Sequence, residues 1–386
     1  MKFIHLSDLH IGKRLNGFSL IEDQEAVLSG ILKIVRAEAP DAVLIAGDVY
    51  DRPVPGADAV RLFDRFLTAL AETRTEIFII SGNHDSSERL SFGSRLMASS
   101  GVHFAPVYDG SAIPYIFEDA YGETAVYMLP FIKPAEVRRF FPEQEIVTYS
   151  DAVRAAVGAM AVEEGRRNVL ISHQFVTGAL RSESEEVTVG GIDNVDAEVY
   201  APFDYVALGH LHGPQQTSGR PGQILRYAGT PLKYSFSEKD QQKSVTVVEL
   251  FEKTGGNTRT EVRTVPLAFP HDMREIRGSY EELTARNNYA GTQTEDYLSV
   301  TLTDEEDIPD ALNRLRVIYP NIMKLQYDNT RTRNGVITGE AADPEETDPK
   351  KLFAAFFKEQ NGKELNEKQA AVVNAVIEKI FGEEAE

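Results

Sequence analysis

The sequence predicts an α/β protein: a two-sheet β-sandwich flanked by helices, then a small α+β domain and a C-terminal helical tail. Three observations predict it. From residue 1 to about 265, apolar runs of strand length alternate with amphipathic helical stretches, as expected of sheets covered by helices. A β-rich run at 244–251 completes a further sheet and makes the core a sandwich. Beyond residue 266 the pattern restarts as strand, helix, strand, helix, strand, and beyond 348 only helical periodicity remains.

In chain order, the run at 3–6 is the first strand and leads into Asp8-Leu9-His10. A helix over Ile21–Glu38 follows, with Ile21, Leu28, Ile31, Leu32 and Val35 near helical spacing, and Pro40 ends it. The strand at 42–46 delivers Gly47-Asp48-Val49-Tyr50-Asp51. A helix then carries Ala59, Leu62, Phe63, Phe66, Leu67 and Leu70 as one stripe. That stripe packs on the sheet by default; the sharper reading is a dimer surface shared with a helix near Leu90 and Ser99. The run at 77–80 brings Gly82-Asn83-His84-Asp85, where Gly82 allows a tight turn. A helix is expected over 149–164 and a strand at 169–171, which supplies His173. The polar stretch 176–200 reads equally as a plain surface loop or as a loop bordering the site. The strand at 205–208 gives His210 and His212, which alternation places on one side of an extended segment. In the small domain, strands are expected at 273–277, 297–302 and 322–327, a capping box at Ser279 and Glu282, and a helix at 308–318. The polar, acidic stretch up to Thr347 reads as a linker. Two tail helices follow, separated at Gly362, the second opened by Asn366 with Gln369 and striped by Val373, Val376, Ile377, Ile380 and Phe381. An apolar stripe behind an acidic linker points to a partner groove. The expected boundaries are 1–265 for the core, 266–330 for the small domain, 331–347 for the linker and 348–386 for the tail.

Composition sets limits. The chain has 386 residues, enough for two or three domains, and is 42% hydrophobic. It has no cysteine, which excludes disulfides and thiolate metal sites and fits a reducing cytoplasm. Neither an apolar leader nor a membrane span is expected. The formal net charge of -20 argues against holding nucleic acid by bulk electrostatics, although DNA remains possible as a substrate.

The chemistry lies in the five clusters at strand ends. Their side chains, Asp8, His10, Asp48, Asn83, His84, His173, His210 and His212, combine carboxylate, carboxamide and imidazole, a mixed oxygen and nitrogen shell for divalent transition metals. The set exceeds what one ion needs, since one takes about four to six ligands. Two ions sharing a carboxylate fit it better, and two metals about 3.5–4 Å apart suit in-line attack at phosphorus. A lone histidine at a strand end is ordinarily a core or surface residue. Here five of the eight histidines fall in these clusters. His5, His103 and His271 take the ordinary reading, as do Lys13, Arg14, Arg52, Arg89 and Arg95, basic residues near the motif loops that could otherwise touch DNA phosphates.

The series Asp8-Leu9-His10, Gly47-Asp48-Val49-Tyr50-Asp51, Gly82-Asn83-His84-Asp85, His173 and Gly209-His210-Leu211-His212 resembles the signature of the calcineurin-like metallophosphoesterases. With Phe131-Ile132-Lys133-Pro134, Ala228-Gly229-Thr230-Pro231-Leu232-Lys233-Tyr234-Ser235 and Phe356-Phe357-Lys358-Glu359-Gln360-Asn361-Gly362, the whole chain resembles the SbcD family of nuclease subunits. The resemblance implies a metallophosphoesterase core, a capping domain and a tail that docks on the coiled coil of an SbcC-type ATPase. It implies a homodimer within a heterotetramer and two divalent ions, manganese(II) first. One ion would take Asp8, His10, Asp48 and His212, the other Asp48, Asn83, His173 and His210, with Asp48 bridging. His84 would donate a proton to the leaving oxygen. Archaeal and eukaryotic relatives carry His where this chain has Asp51, so Asp51 is assigned only to the neighbourhood of the site. The implied activity is double-strand exonuclease and single-strand or hairpin endonuclease cleavage of DNA in repair, recombination and replication, in the cytoplasm at the nucleoid. The alternative is a phosphoesterase acting on small molecules or phosphoproteins.

Overall fold

A computed structural model describes residues 1–181, 185, 193–334 and 349–381. The chain divides into two compact units, Met1–Met273 and Arg274–Glu386. The first contains two six-stranded sheets. In one, the strand order is Asn257–Pro266, Ser244–Thr254, Lys2–Leu6, Ala42–Ala46, Glu76–Ile80, Val102–Phe104. Lys2–Leu6 and the three strands after it in this order run parallel, and Ser244–Thr254 pairs antiparallel on the other side. The other sheet is ordered Gln215–Thr217, Ile224–Tyr227, Tyr205–Gly209, Arg167–His173, Gly122–Leu129, Tyr115–Asp119, with four parallel strands between two antiparallel edges.

The sheets share one core. Phe3, Ala42, Leu44, Ala46, Phe78 and Ile80 from one face meet Val126, Val169, Ile171, Tyr205 and Ala207 from the other. This is why Ala42–Ala46 is apolar at every position: the strand is covered on both faces. His5 ties the sheets together, its Nδ1 3.0 Å from the Tyr205 hydroxyl and its Nε2 3.1 Å from Leu208 O. Burial drives its pKa down to about 3, so it serves as a neutral core histidine. The other face of the second sheet packs on Tyr149–Gly158 through Ala152, Val153 and Ala156.

Helix Ile21–Glu38 runs over the expected residues. In helix Ala57–Ala71 the stripe Ala59, Leu62, Phe63, Phe66 and Leu70 is buried within the chain, so this face packs internally. The apolar side chains left outside there are Phe92 and Leu96, in a segment of two short helices, Ser87–Leu90 and Ser94–Met97. The helix expected over 149–164 ends at Gly158, and the chain turns at Ala161, which has φ 47°.

The second unit has its own three-stranded sheet, Met273–Gly278, Tyr297–Leu302 and Ile322–Tyr327, around Leu298, Val300, Leu302 and Leu315. Ser279 and Glu282 form the capping box. The helix expected at 308–318 is confined to Ala311–Arg316. Thr330–Asn334, read as the start of a linker, is helical, and residues 335–348 lie outside the described residues. The tail forms helices Pro349–Asn361 and Glu367–Phe381. Gly362, at φ 63°, takes the left-handed turn between them, and Asn366 and Gln369 cap the second reciprocally.

Candidate metal centre

Five strands end on one rim, three from the first sheet and two from the second, and all run parallel within their sheets. Ligands in open α/β sheets bind at that edge because the loops following the strands converge there. Backbone hydrogen bonds fasten the first two loops: Asp8 N to Gly47 O, His10 N to Asp48 O and Ile11 N to Val49 O, at 2.9–3.0 Å. Asp8, His10, Asp48 and His210 all have positive φ, between 43° and 99°. Such backbone costs about 1–3 kcal/mol per residue and persists where the surroundings enforce it.

The expected ligands come together. His173 Nε2 lies 3.2 Å from Asp48 Oδ2 and 3.0 Å from Asn83 Oδ1, and His210 Nδ1 is 3.0 Å from the same Asn83 oxygen. His10 Nε2 is 3.7 Å from Asp48 Oδ2, and the His10 ring sits 5.1 Å from the His212 ring and 4.8 Å from the His84 ring. The donor atoms of Asp8, Asp48 and His173 form one compact group and those of His10, Asp48 and His84 another, with Asp48 common to both. The shared carboxylate matches the expected bridge. His84 falls in the second group although the sequence reading kept it off the metals.

The donor set fits divalent ions on a direct observation. Both ring nitrogens of His10 are buried with no hydrogen-bond partner, an expensive arrangement for a polar side chain unless something else takes the lone pair. His173 is prepared differently: its Nδ1 faces Ala46 O at 2.8 Å, which leaves Nε2 to the centre. His210 N donates to Asp8 Oδ1 at 2.9 Å and so fixes that carboxylate.

Burial and mutual charge set the protonation. Burial pushes the Asp8 carboxyl up to about 6, against the pull of His173. Burial would raise Asp48 too, but His173, His10 and His84 overcome it and hold Asp48 far below the usual carboxylate range. Burial lowers His173, yet Asp48 and Asp8 win and raise it to about 9. Burial, with His173 nearby, takes His210 down to about 3, and burial carries His10 well below its ordinary value. Without cations, the centre thus keeps Asp48 ionised beside a protonated His173.

Gly82 is needed for space rather than for its turn. A Cβ there would stand 2.1 Å from Asp48 Oδ1. His84 is placed by backbone and by the central carboxylate: its N donates to Asp48 Oδ1 at 2.9 Å, and its Nδ1 lies 3.2 Å from Asp51 O. The Asp51 carboxylate instead pairs with Lys13 at 2.8 Å. Glu185, in the stretch 176–200, accepts from His212 N at 2.6 Å, so one described residue of that loop touches the centre; 182–184 and 186–192 lie outside the described residues. Arg14, Arg89, His103 and His271 each have partners away from the centre.

Sequence reasoning passed over Asp85, whose carboxylate accepts from Val49 N, Tyr50 N and Gly82 N at 3.0–3.1 Å and so binds two motif loops together. Its place in the Gly-Asn-His-Asp motif was the available signal. Glu238 and Lys243, buried behind His212, carried no signal, because nothing in their local sequence marks them as internal.

The fold and centre are those of a two-sheet phosphoesterase. Residues 1–214 match the family model for calcineurin-like phosphoesterase, and residues 270–361 match the SbcD_C model, described as the type 5 capsule protein repressor C-terminal domain. An SbcD subunit of nuclease SbcCD from Staphylococcus saprophyticus is 30% identical over 99% of both chains, and its counterpart from Staphylococcus epidermidis is 29% identical over the full length of both. The chain belongs to the SbcD family of calcineurin-like phosphoesterases. A dimetal phosphatase from Danio rerio aligns with 69% of this chain and 99% of its own at 12% identity, with a TM-score of 0.40. Calcineurin-like phosphoesterases are hydrolases that use divalent metals, and SbcD belongs to the SbcCD complex, which implies an SbcC partner.

Proposed function

We propose that the chain is a manganese-dependent DNA nuclease, cutting double-stranded ends as an exonuclease and single strands or hairpins as an endonuclease, in the cytoplasm with an SbcC-type ATPase. The observation that carries this reading is the buried cluster at the strand rim: two carboxylates, one carboxamide and four imidazoles around Asp48, with the His10 nitrogens unpartnered. Asp8, His10, Asp48 and His212 would hold one ion and Asp48, Asn83, His173 and His210 the other. Two bound ions would supply an activated water and neutralise charge on the attacking and leaving oxygens. The chain's own part is to fix both positions through Asp48 and to present a proton. With Nδ1–H donated to Asp51 O, a protonated His84 offers its Nε2–H to the departing oxygen. This contact uses the backbone of residue 51, which explains how Asp can replace His there without disturbing His84.

Two further features support the partners. Phe353, Phe356, Val372 and Val376 are exposed on the tail helices and offer an apolar face to a coiled coil. Phe92 and Leu96, more than four-fifths exposed, offer a contact to a second copy.

The test is hydrolysis of end-labelled duplex DNA with manganese, with and without the ATPase partner, set against bis-p-nitrophenyl phosphate and a cyclic nucleotide. DNA cleavage is expected, and His84→Ala should slow it by about 100–10,000-fold while sparing metal binding. Turnover of the small esters with inert DNA, even with the partner present, would overturn the nuclease reading. Unchanged DNA cleavage by His84→Ala would remove its role as proton donor.

A further inference from the structure

Behind His212, on the side away from the other ligands, lies an ion pair buried completely. Glu238 and Lys243 each have side chains with no solvent exposure, and Lys243 Nζ lies 2.6 Å from Glu238 Oε2. Glu238 turns its other oxygen, Oε1, to Nδ1 of His212 at 3.2 Å. Lys243 reaches past the carboxylate to His212 O at 3.0 Å, and also meets Thr230 Oγ1 at 2.7 Å and Gln241 Oε1 at 2.8 Å. Thr230 N closes the ring on His212 O at 3.1 Å. His212 is therefore held at its imidazole by Glu238 and at its carbonyl by Lys243 and Thr230.

An arrangement of this kind is costly to keep for stability alone. Two ions withdrawn from water lose solvation that their attraction returns only with excellent geometry, and well-packed apolar side chains usually do as well. Its value must lie in what it does to His212. A carboxylate on Nδ1 selects the tautomer with the proton on that nitrogen and leaves Nε2 as the open donor. It also fixes the ring plane and makes the imidazole a stronger donor than a carbonyl partner would. His173 has only the carbonyl of Ala46 in that position, and His10 has no hydrogen-bond partner at all. The two halves of the centre are thus built unequally, with the anionic support confined to His212.

We infer that Glu238 is a positioning residue that sets the affinity of the ion held by His212, and that Lys243 is the counter-charge that lets a carboxylate be buried there. This rests on the reading of His212 as a ligand. The predicted asymmetry is specific: losing Glu238 should weaken one ion of the pair and leave the other nearly as before.

The experiment is calorimetric titration of the ion-free full-length chain with manganese(II), repeated with cobalt(II) while its visible absorption is followed. The wild-type chain should take up two ions. Glu238→Gln, and the charge-neutral pair Glu238→Gln with Lys243→Met, should bind one ion about 10–100-fold more weakly, the range seen when such outer partners of metal-bound histidines are lost. The second ion should keep its affinity, and the cobalt spectrum should change for one site only. The paired variant removes both buried charges and guards against a single variant that does not fold. Two ions bound at wild-type affinity by either folded variant would overturn the inference, as would equal weakening of both. A wild-type chain binding no ion would instead overturn the metal reading beneath it. Glu238→Asp, which keeps the charge, should recover part of the lost affinity; a purely structural role would give no such recovery in a folded protein.

Discussion

Gly82 shows at the residue scale how little room the centre has. In Gly82→Ala the new methyl must displace the Asp48 carboxylate, 2.1 Å away, or move the Asp48 backbone N, 2.5 Å away. Overpacking of this kind costs about 1–3 kcal/mol, and misplacing a reacting geometry by about 1 Å lowers rates on the order of 100-fold. Phosphodiesterase assays and thermal melts on this variant should show both effects, and wild-type turnover would mean the rim yields more than its contacts suggest. His173 gives a second prediction. Its pKa in the ion-free protein is raised to about 9, so below that pH the ring is protonated and must shed its proton to bind metal. Affinity at that position should rise with pH up to about 9 and fall as pH drops, with about one proton released per ion near pH 7. Manganese titrations in buffers of different ionisation enthalpy measure that release, and none at pH 7 would contradict the protonated His173. The motif residues themselves were legible in the sequence, since type and spacing identify them. The roles of Gly82 and of the Asp51 backbone were not, because both depend on atoms brought close only by packing of loops distant in sequence.

At the scale of elements, the strand Arg167–His173 carries a metal-site residue at one end and an anchor at the other. Arg167 is buried and donates to Asp119 at 2.6 and 3.1 Å, to Gly122 O at 2.5 Å and to Leu250 O at 3.1 Å. It thereby joins three strands from both sheets. Arg167→Met keeps the bulk but leaves buried carbonyls unpaired, at a cost of about 1–3 kcal/mol. Urea denaturation should show that loss with the slope unchanged, while manganese affinity stays close to wild type because the anchor lies at the far end of the strand from His173. A fall in affinity without a fall in stability would show that the strand transmits strain to the centre. The elements most faithfully readable were those whose burial is continuous, such as Ala42–Ala46, or whose stripe is long, such as Ile21–Glu38. The expected helix over 149–164 overran because its apolar pattern continues through Met160 and Val162, which pack on the same core after the helix has ended. The helix at 308–318 was over-read for the same reason, since Ile308 and Ile318 serve the small core from outside the helix.

For the whole molecule, the decisive fact is that the chemistry and the apolar tail belong to different units. All the candidate ligands, the Glu238–Lys243 pair and the inter-sheet core lie within Met1–Met273, while the second unit closes its own core around Leu298, Val300 and Leu315. A unit with its own core and a complete donor set should need nothing further for bond cleavage itself. Holding DNA is a different demand. At a formal net charge of -20 the full chain repels a polyanion, and the affinity of whatever basic contacts it makes falls steeply with salt. A chain ending at Met273 should therefore fold, bind manganese as the full chain does and hydrolyse bis-p-nitrophenyl phosphate at a similar rate. Its cleavage of duplex DNA should fail to respond to the ATPase partner, because the tail helices are gone. Comparing both chains against both substrates, with and without the partner, tests the division directly. If the short chain is folded but binds no metal, the centre depends on residues beyond 273; if it still responds to the partner, the exposed face of the tail is not where the partner docks.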